Sequence, residues 1–189
     1  ALYGSHDDAP GDKIALLIEA GPAFGTGHHG TTKGCLLAFD AMLNEDFSPA
    51  RILDVGTGSG ALAIAAAKVL PQATILASDI DPDATEEAER NAETNGVGDL
   101  IDCFTAENFN HIKLVGAKFD LIFANILAEP LVQLAPEIAA ALSPGASVIL
   151  SGLLVEQELQ VRAAYEKHGL TVTAREPLDG WATLVAVRA

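Results

Sequence analysis

Three glycines stand between an apolar run and an alanine-rich stretch, in the segment Asp54-Val55-Gly56-Thr57-Gly58-Ser59-Gly60. Glycine permits a tight turn and lets the backbone approach a ligand closely. The spacing of Gly56, Gly58 and Ala61 also satisfies the G-x-G-x-x-[GA] fingerprint of dinucleotide-binding proteins. The segment therefore predicts either a nucleotide-binding turn or a tight turn that holds no ligand.

Asp79 ends the next apolar run, about 20 residues after the glycines. A carboxylate at this position can accept hydrogen bonds from both hydroxyls of an adenosine ribose. Dehydrogenases and methyltransferases share this feature, so it predicts a nucleoside without choosing between them. Asp81 directly precedes Pro82, and we interpret it as the N-cap of the following helix.

Two further polar side chains favour a methyltransferase over a dehydrogenase. Asp54 lies just before the glycines, where its carboxylate would face a cationic ligand and repel a pyrophosphate. Asn125 ends a later apolar run, so it should project at the same edge of a parallel sheet. Its amide could hold an amine with the lone pair aimed at a methyl group. A local cap on the following helix is the alternative for Asn125.

His28 and His29 raise the question of a metal site. Adjacent residues seldom converge on one ion, and no third ligand with suitable spacing stands out. We therefore predict no metal, and we interpret both histidines as loop residues at the mouth of the cofactor site. Trp181 is interpreted as part of the core or as a cover on the sheet.

Apolar runs alternate with helix-forming stretches from residue 51 onward, which is typical of a parallel sheet with helices on both faces. The predicted strands are residues 51–56, 74–79, 101–104, 119–125, 147–150, 170–174 and 181–187. The predicted helices are residues 61–69, 83–95, 131–142 and 156–168. The 131–142 helix is expected to end at Ser143-Pro144-Gly145. A short turn-rich segment joins the last two strands, so they could pair as an antiparallel hairpin.

Upstream of residue 51 the pattern differs. It predicts a strand over residues 13–19, a glycine-rich loop over 21–30 and a helix over 31–43. A length of 189 residues suits one domain. We therefore interpret residues 1–20 as a linker or the remnant of an upstream domain, and residues 21–189 as one catalytic domain.

The formal net charge is -15, which argues against a general nucleic-acid binder, because such proteins need a basic face. The charge permits steering of a basic partner, or it serves solubility. No apolar stretch is long enough to span a bilayer, and the N-terminus shows no signal-peptide pattern. Cys35 and Cys103 are far apart, so we expect two small buried side chains, a reducing compartment and a cytoplasmic location.

Residues 23–32, with the sequence AFGTGHHGTT, resemble the loop that precedes the catalytic domain of the ribosomal protein L11 methyltransferases. Residues 53–67, 78–82, 91–97 and 124–131 agree with that family in order and spacing, and the tail from 151–154 to 180–181 also fits. The resemblance covers nearly the whole chain from about Tyr3. The loop over 24–32 combined with the segment 125–131 is specific, whereas the glycine turn alone is not.

The resemblance implies a class I S-adenosylmethionine-dependent methyltransferase fold. This is a doubly wound α/β architecture with a seven-stranded, mostly parallel sheet whose last strand is antiparallel. It also implies S-adenosylmethionine as the cofactor and amino groups of ribosomal protein L11 as acceptors, both the N-terminal amine and lysine side chains. Asn125 is then the predicted catalytic residue. The predicted cofactor-binding residues are Phe24, Thr26, Thr32, Asp54, Gly56, Gly58, Asp79 and Asn125.

One departure concerns acceptor recognition. The family carries a separate N-terminal domain that recognises the ribosomal protein, and we expect that domain to be absent here. Methyl transfer from a sulfonium needs mainly alignment of an already neutral amine, so we expect no dedicated catalytic base. Three alternatives stay open at this point: a methyltransferase for another protein or a small amine, a binding module of the same fold without activity, and a nicotinamide-dependent dehydrogenase.

Overall fold

The computed structural model describes residues 14–18 and 29–189, in which strands and helices alternate along the chain. The strands are β1 (Arg51–Val55), β2 (Thr74–Asp79), β3 (Ile101–Thr105), β4 (Phe119–Asn125), β5 (Leu142–Leu154), β6 (Leu170–Ala174) and β7 (Trp181–Arg188). The α-helices are α1 (His29–Leu43), α2 (Ala61–Val69), α3 (Pro82–Thr94), α4 (Ala128–Gln133), α5 (Ala135–Ala141) and α6 (Glu158–Lys167).

The described strands form one sheet of seven, in the order β3-β2-β1-β4-β5-β7-β6. The pairs β1 with β2, β2 with β3, β1 with β4 and β4 with β5 are parallel. Strand β7 runs antiparallel to both of its neighbours, β5 and β6. The predicted fold class is therefore confirmed, including the antiparallel last strand and the closing hairpin.

Helices cover both faces of this sheet. On one face Ile52, Phe123 and Ile149 pack with residues of α1 and α2. On the other face Leu53 and Ile122 pack with residues of α4, α5 and α6. Burial on both faces explains why the central strands are near-continuous apolar runs, and why their positions could be predicted closely.

Helix α1 lies unusually close to β7, because two glycines face it. A Cβ atom on Gly34 would lie 2.2 Å from Thr183 Oγ1, and one on Gly30 would lie 3.1 Å from Trp181 Cδ1. Trp181 is half-buried against this helix. The close approach places the first turn of α1 at the carboxyl edge of the sheet, where the candidate site is found.

The single helix predicted over residues 131–142 is wrong in the structure. Helix α4 begins earlier, at Ala128, and α5 starts anew at Ala135, with Leu134 between them. Pro136 lies in the first turn of α5 and has no N–H to continue the bonds of α4, so the helix breaks there. The predicted helix end is correct to one residue, because α5 ends at Ala141, and residues 143–145 lie within the long strand β5.

The strand predicted over residues 13–19 is also wrong, since residues 14–18 have no regular secondary structure. The backbone of Leu17 bonds to a side chain instead of a strand. Its N–H donates to Asn95 Oδ1 at 3.0 Å, and its C=O accepts from Asn95 Nδ2 at 2.7 Å. Leu16 is buried in the cluster beneath α1 and α2. The boundary placed at residue 20 stays a prediction.

Smaller differences concern the ends of elements and the glycine-rich loop. Helix α1 begins at His29 rather than at residue 31. The predicted loop falls mostly on residues 19–28, which lie outside the described residues. Cys35 is buried and Cys103 half-buried, and both are free thiols. No helix within 14–18 and 29–189 has the length and apolarity needed to cross a membrane.

We predict that Asn95→Ala lowers the free energy of unfolding by about 1–3 kcal/mol, because it leaves the N–H and C=O of Leu17 without these partners. Urea denaturation measures the change. Asn44→Ala is the matched control, since the exposed Asn44 amide makes only a 3.4 Å contact to Asp40. Surface substitutions usually change the free energy of unfolding by less than about 0.5 kcal/mol. A loss that small for Asn95→Ala would contradict the prediction.

Candidate active site

Strand register aligns four positions at the carboxyl edge of the sheet. Val55 of β1 lies opposite Ser78 of β2 and Ala124 of β4, and Ala124 lies opposite Leu150 of β5. The next residue on each strand is therefore also in line, and these residues are Asp79, Gly56, Asn125 and Ser151. Neighbouring strands are about 4.8 Å apart, so Asp79 and Asn125 stand about 10 Å apart across Gly56.

The polar side chains of this row point to the same face of the sheet. Side chains alternate along a strand, so each shares its face with the residue two positions earlier. Those earlier residues, Ala77, Phe123 and Ile149, all belong to the cluster under α1 and α2. Asp79, Asn125 and Ser151 therefore project toward the first turns of α1 and α2, and so does Asp54, which follows Ile52 by two.

The glycine turn between β1 and α2 has no room for side chains. Gly56 has a φ of 67°, and a Cβ atom there would lie 2.3 Å from Ile126 Cγ2. Gly60 has a φ of 80°, and its Cβ atom would lie 3.1 Å from the Ala88 backbone of α3. Both positive φ angles strain any other residue. The turn is thus packed between α3 and the segment after β4.

Neighbouring groups fix the shape of this turn. The N–H groups of Gly56 and Thr57 donate to Ser78 O at 2.8 and 3.0 Å. On the other side Asn91 Nδ2 donates to Ser59 O at 2.9 Å. Sequence reasoning missed this role of Asn91. A signal was present, because a polar residue on the buried face of α3 needs a partner.

Asp54 is buried beneath the turn, with only 1% of its surface exposed. Its Oδ2 atom accepts from Thr57 Oγ1 at 2.8 Å and from Ala63 N at 3.2 Å, so it ties the turn to the first helical turn of α2. Burial raises the pKa of Asp54 from 3.8 to about 6, and these two hydrogen bonds oppose that rise. Nearby Asp79 raises the pKa further. The structure therefore places the predicted Asp54 inside the turn rather than on its open surface.

Asp79 uses both carboxylate oxygens at the end of β2. Oδ2 accepts from Gly58 N at 2.9 Å, and Oδ1 accepts from Asp81 N at 3.1 Å. A carboxylate has about four acceptor positions, so capacity for two more donors remains. Asp81 in turn accepts from Asp83 N at 2.9 Å, which confirms it as the N-cap of α3. The arrangement holds Asp79 rigidly beside the turn and leaves it able to bind a pair of hydroxyl groups.

Asn125 carries an unsatisfied acceptor. Its Oδ1 atom is buried and has no hydrogen-bond partner among the described residues, while Nδ2 makes a long 3.4 Å contact to Thr32 Oγ1 of α1. Leaving a buried polar atom unpaired costs about 1–3 kcal/mol. Asn125 is not the N-cap of α4, because Leu127 holds that position. The alternative of a simple helix cap is therefore wrong, and the free oxygen is available to a donor from a ligand.

The remaining predicted residues divide into two groups. Thr32 and Gly58 lie at the site, through their contacts to Asn125 and Asp79. Phe24 and Thr26 lie outside the described residues, as does His28. Within the part of the chain that the structure describes, no three or more His, Cys, Asp or Glu side chains are grouped to hold a metal ion.

We predict that Asp54→Asn changes how stability depends on pH. The folded state binds the Asp54 proton more tightly than the unfolded chain, since the pKa rises from 3.8 to about 6. The stabilising contribution of Asp54 is thus full below about pH 4 and lost as the pH rises through about 6. The unfolding free energy of the parent relative to Asp54→Asn should fall across this window and stay constant above it. Urea denaturation of both proteins at pH values from about 4 to 8, a range that includes the upper part of the window, measures the difference in unfolding free energy.

Thr57→Val is the companion variant for this measurement. It removes the hydroxyl that lowers the Asp54 pKa, so the upper end of the window should move to higher pH. A difference between parent and Asp54→Asn that does not vary between about pH 4 and 7 would show that the buried carboxylate keeps an ordinary pKa.

Comparisons with known proteins identify the family of this chain. The family described as Ribosomal protein L11 methyltransferase (PrmA) matches residues 2–189. A ribosomal protein L11 methyltransferase of Rhodopseudomonas palustris is 46% identical over 190 residues, which cover 99% of this chain and 64% of the relative. One of Brucella suis is 50% identical over 187 residues, which cover 97% of this chain and 65% of the relative. The chain thus spans slightly less than two thirds of these relatives.

Solved structures add the fold. The ribosomal protein L11 methylase of Lactobacillus delbrueckii subsp. bulgaricus has a TM-score of 0.75 at 31% identity, covering 92% of this chain and 84% of that one. A methyltransferase of Pyrococcus furiosus has a TM-score of 0.70 at 23% identity, covering 92% and 89%, and supports the fold alone. With a glycine turn, an acidic strand end and an asparagine aligned at one edge, the chain belongs to the ribosomal protein L11 methyltransferase family of S-adenosylmethionine-dependent enzymes.

Proposed function

We propose that this chain transfers methyl groups from S-adenosylmethionine to amino groups of ribosomal protein L11, both its N-terminal amine and lysine side chains. The observation that carries the proposal is the buried Oδ1 atom of Asn125, which lies in line with Gly56 and Asp79 and has no hydrogen-bond partner within residues 14–18 and 29–189. Family membership supports the same activity. Family membership gives no support to the alternative hypothesis of a nicotinamide-dependent dehydrogenase.

The site fits S-adenosylmethionine in two respects. The glycine turn has positive φ angles at Gly56, Gly58 and Gly60, a backbone shape that lets a ligand lie close to the main chain. Asp79 has acceptor capacity left for the two ribose hydroxyls, and Gly58 is bonded to the same carboxylate. When bound, the cofactor supplies a methyl group already activated on a sulfonium. We assign Thr32, Gly56, Gly58 and Asp79 to holding it, and we keep Phe24 and Thr26 as predicted contacts.

Asp54 contributes through its charge rather than by contact. Its carboxylate lies under the turn and is ionised above about pH 6, so it makes the turn more favourable for a cation. It also disfavours a pyrophosphate at the same place. This selectivity separates a methyltransferase turn from a dinucleotide-binding one, although both satisfy the same glycine spacing.

Asn125 is proposed to position the acceptor amine. Its Oδ1 can accept a hydrogen bond from the amine and so direct the nitrogen lone pair along the line of transfer. Thr32 contacts Nδ2 and keeps the amide plane from turning. The amine must arrive without its proton, which desolvation beside a cationic cofactor favours. The proton of the product can pass to water, so the proposal needs no dedicated base.

The charge of the chain supports a basic acceptor. A formal net charge of -15 attracts a basic polypeptide and repels nucleic acid, so we infer no direct nucleic-acid binding. The two free cysteines support a location in the cytoplasm. A different basic protein or a small amine would meet the same site, and the test below distinguishes these acceptors.

We predict that Asn125→Ala lowers kcat by roughly a factor of 100 or more, because a misplaced amine loses its alignment. Its affinity for S-adenosylhomocysteine should fall less than that of Asp79→Ala, which loses the ribose contacts. Asn125→Asp keeps an acceptor and removes the donors, so it isolates the role of Oδ1. Turnover with methyl-labelled cofactor and calorimetric titration measure the two effects. Near-normal turnover by folded Asn125→Ala at saturating substrates would reject the assignment.

We also predict that the matched part of the relatives binds the cofactor, whereas the unmatched part helps to bind the acceptor protein. The matched part of the Brucella suis enzyme, 187 residues, should bind S-adenosylhomocysteine as tightly as the whole enzyme does but should methylate ribosomal protein L11 more slowly. The present chain should behave like this matched part. Labelled-methyl transfer to purified ribosomal protein L11, to another basic ribosomal protein and to lysine amide measures the preference. Equal rates for the whole enzyme and its matched part would refute this division. A preference for lysine amide would refute ribosomal protein L11 as the acceptor.

A further inference from the structure

Three large apolar side chains are exposed where the chain leaves β4 and β5. Leu127 is 62% exposed, Val155 is 42% exposed and Leu159 is 75% exposed. We call these three residues the acceptor-side patch. Single exposed apolar side chains are normal on protein surfaces, whereas several that lie close together mark an interaction surface.

The three residues lie on neighbouring segments. Asn125 lies opposite Ser151 in the β4–β5 register. One residue later in β5, Gly152 has a φ of 85°, and a Cβ atom there would lie 2.3 Å from Ile126 O, so β5 stays in contact with the segment that follows β4. Leu127 follows on one chain and Val155 on the other. Val155 and Leu159 are four residues apart on the helical stretch that leads into α6, so they share a face.

The patch lies beside Asn125, on the side away from the cofactor residues. Leu127 is two residues after Asn125, which limits the distance between their Cα atoms to about 7 Å. Gly56 follows β1 and Asp79 ends β2, and both strands lie on the opposite side of β4 from β5. Asn125 therefore stands between the turn proposed for the cofactor and the patch.

The charges around the patch have one sign. Glu129 and Glu156 are exposed beside it, and residues 125–134 and 151–161 contain no lysine or arginine. Arg162 follows, but its guanidinium bonds to Glu158 at 2.8 Å and to Val172 O. An apolar surface with an acidic rim suits a polypeptide whose aliphatic side chains alternate with cationic ones. Anionic lipid and nucleic acid would be repelled by it.

We propose that the acceptor-side patch binds the residues flanking the target amine, in a basic, lysine-containing polypeptide segment with aliphatic neighbours. This proposal rests on the methyl-transfer function proposed above and adds where the acceptor lies. Leu127, Val155 and Leu159 cover the aliphatic side chains, and Glu129 and Glu156 pair with flanking cations. The lysine to be methylated then extends along Ile126 to Asn125.

The test compares a peptide acceptor with a small amine. The peptide has one central lysine, leucines on both sides of it and arginines at its ends, and the small acceptor is lysine amide. The double variant Val155→Ser/Leu159→Gln should raise KM for the peptide about tenfold, with kcat and the lysine-amide kinetics unchanged. Glu129→Gln/Glu156→Gln should also raise the peptide KM at low salt, and this effect should shrink at high salt.

Leu37→Gln is the matched control, because Leu37 is a 52% exposed leucine on α1, which covers the opposite face of the sheet from α6. A peptide KM within twofold of the parent for Val155→Ser/Leu159→Gln, or an equal rise for Leu37→Gln, would overturn the proposal. A fall in sedimentation from dimer to monomer with unchanged peptide KM would also overturn it, because the patch would then bind a second copy.

The experiments distinguish a wrong proposal of methyl transfer from a wrong proposal of peptide binding at the acceptor-side patch. If the parent transfers label to neither acceptor, the proposed function is wrong. Titration of the same peptide into the chain saturated with S-adenosylhomocysteine still tests the patch. Peptide affinity that drops about tenfold in Val155→Ser/Leu159→Gln supports the patch, and unchanged affinity overturns it.

Discussion

The carboxylate of Asp54, buried under the glycine turn, holds the parts of the site in place. A charged group is retained in the interior only when hydrogen bonds compensate its loss of water. Here the compensating donors are Thr57 Oγ1 and the N–H of Ala63, one in the turn and one in α2. The same two bonds that satisfy the carboxylate therefore fix the exit of β1 relative to the helix. Because Gly56 contacts Ile126 across the turn, the constraint extends to the segment after β4.

Rigidity at one side of the site contrasts with an unsatisfied group at the other. Asp79 is held at both carboxylate oxygens by the N–H groups of Gly58 and Asp81, and the turn is anchored by Asn91. Asn125 has a buried oxygen without a partner among the described residues. Folding stability would favour an apolar residue at that position, since an unpaired buried acceptor is destabilising. A group retained against stability is expected where a ligand supplies the missing donor, which is why Asn125 carries more of the functional argument than the glycines do.

Sequence reasoning reached the site residues that end strands, because β1, β2 and β4 are continuous apolar runs with clear ends. It placed Asp79, Gly56 and Asn125 at one edge, and the register brings them into one row. It failed where a tertiary contact decides. The predicted strand over residues 13–19 could not reveal that Leu17 bonds to Asn95, 78 positions away. The inward orientation of Asp54 could not be predicted either, because the sequence indicates the face of the strand but not which hydrogen-bond donors lie beside the side chain.

The order of strands also explains how one edge can serve two substrates. The strand order reverses at β1, where β2 lies on one side and β4 on the other, and ligands of open α/β sheets bind at such a point. The β2 side carries a carboxylate and a glycine turn, which suit a nucleoside with a cationic tail. The β5 side carries apolar side chains and acids, which suit a basic polypeptide. Asn125 ends the strand between them, so in the proposed reaction its amide would meet both ligands at the line along which the methyl group passes. An asparagine at the end of β1 or β5 would lie within one proposed binding region and farther from the other, so the end of β4 is the position from which one amide can reach both.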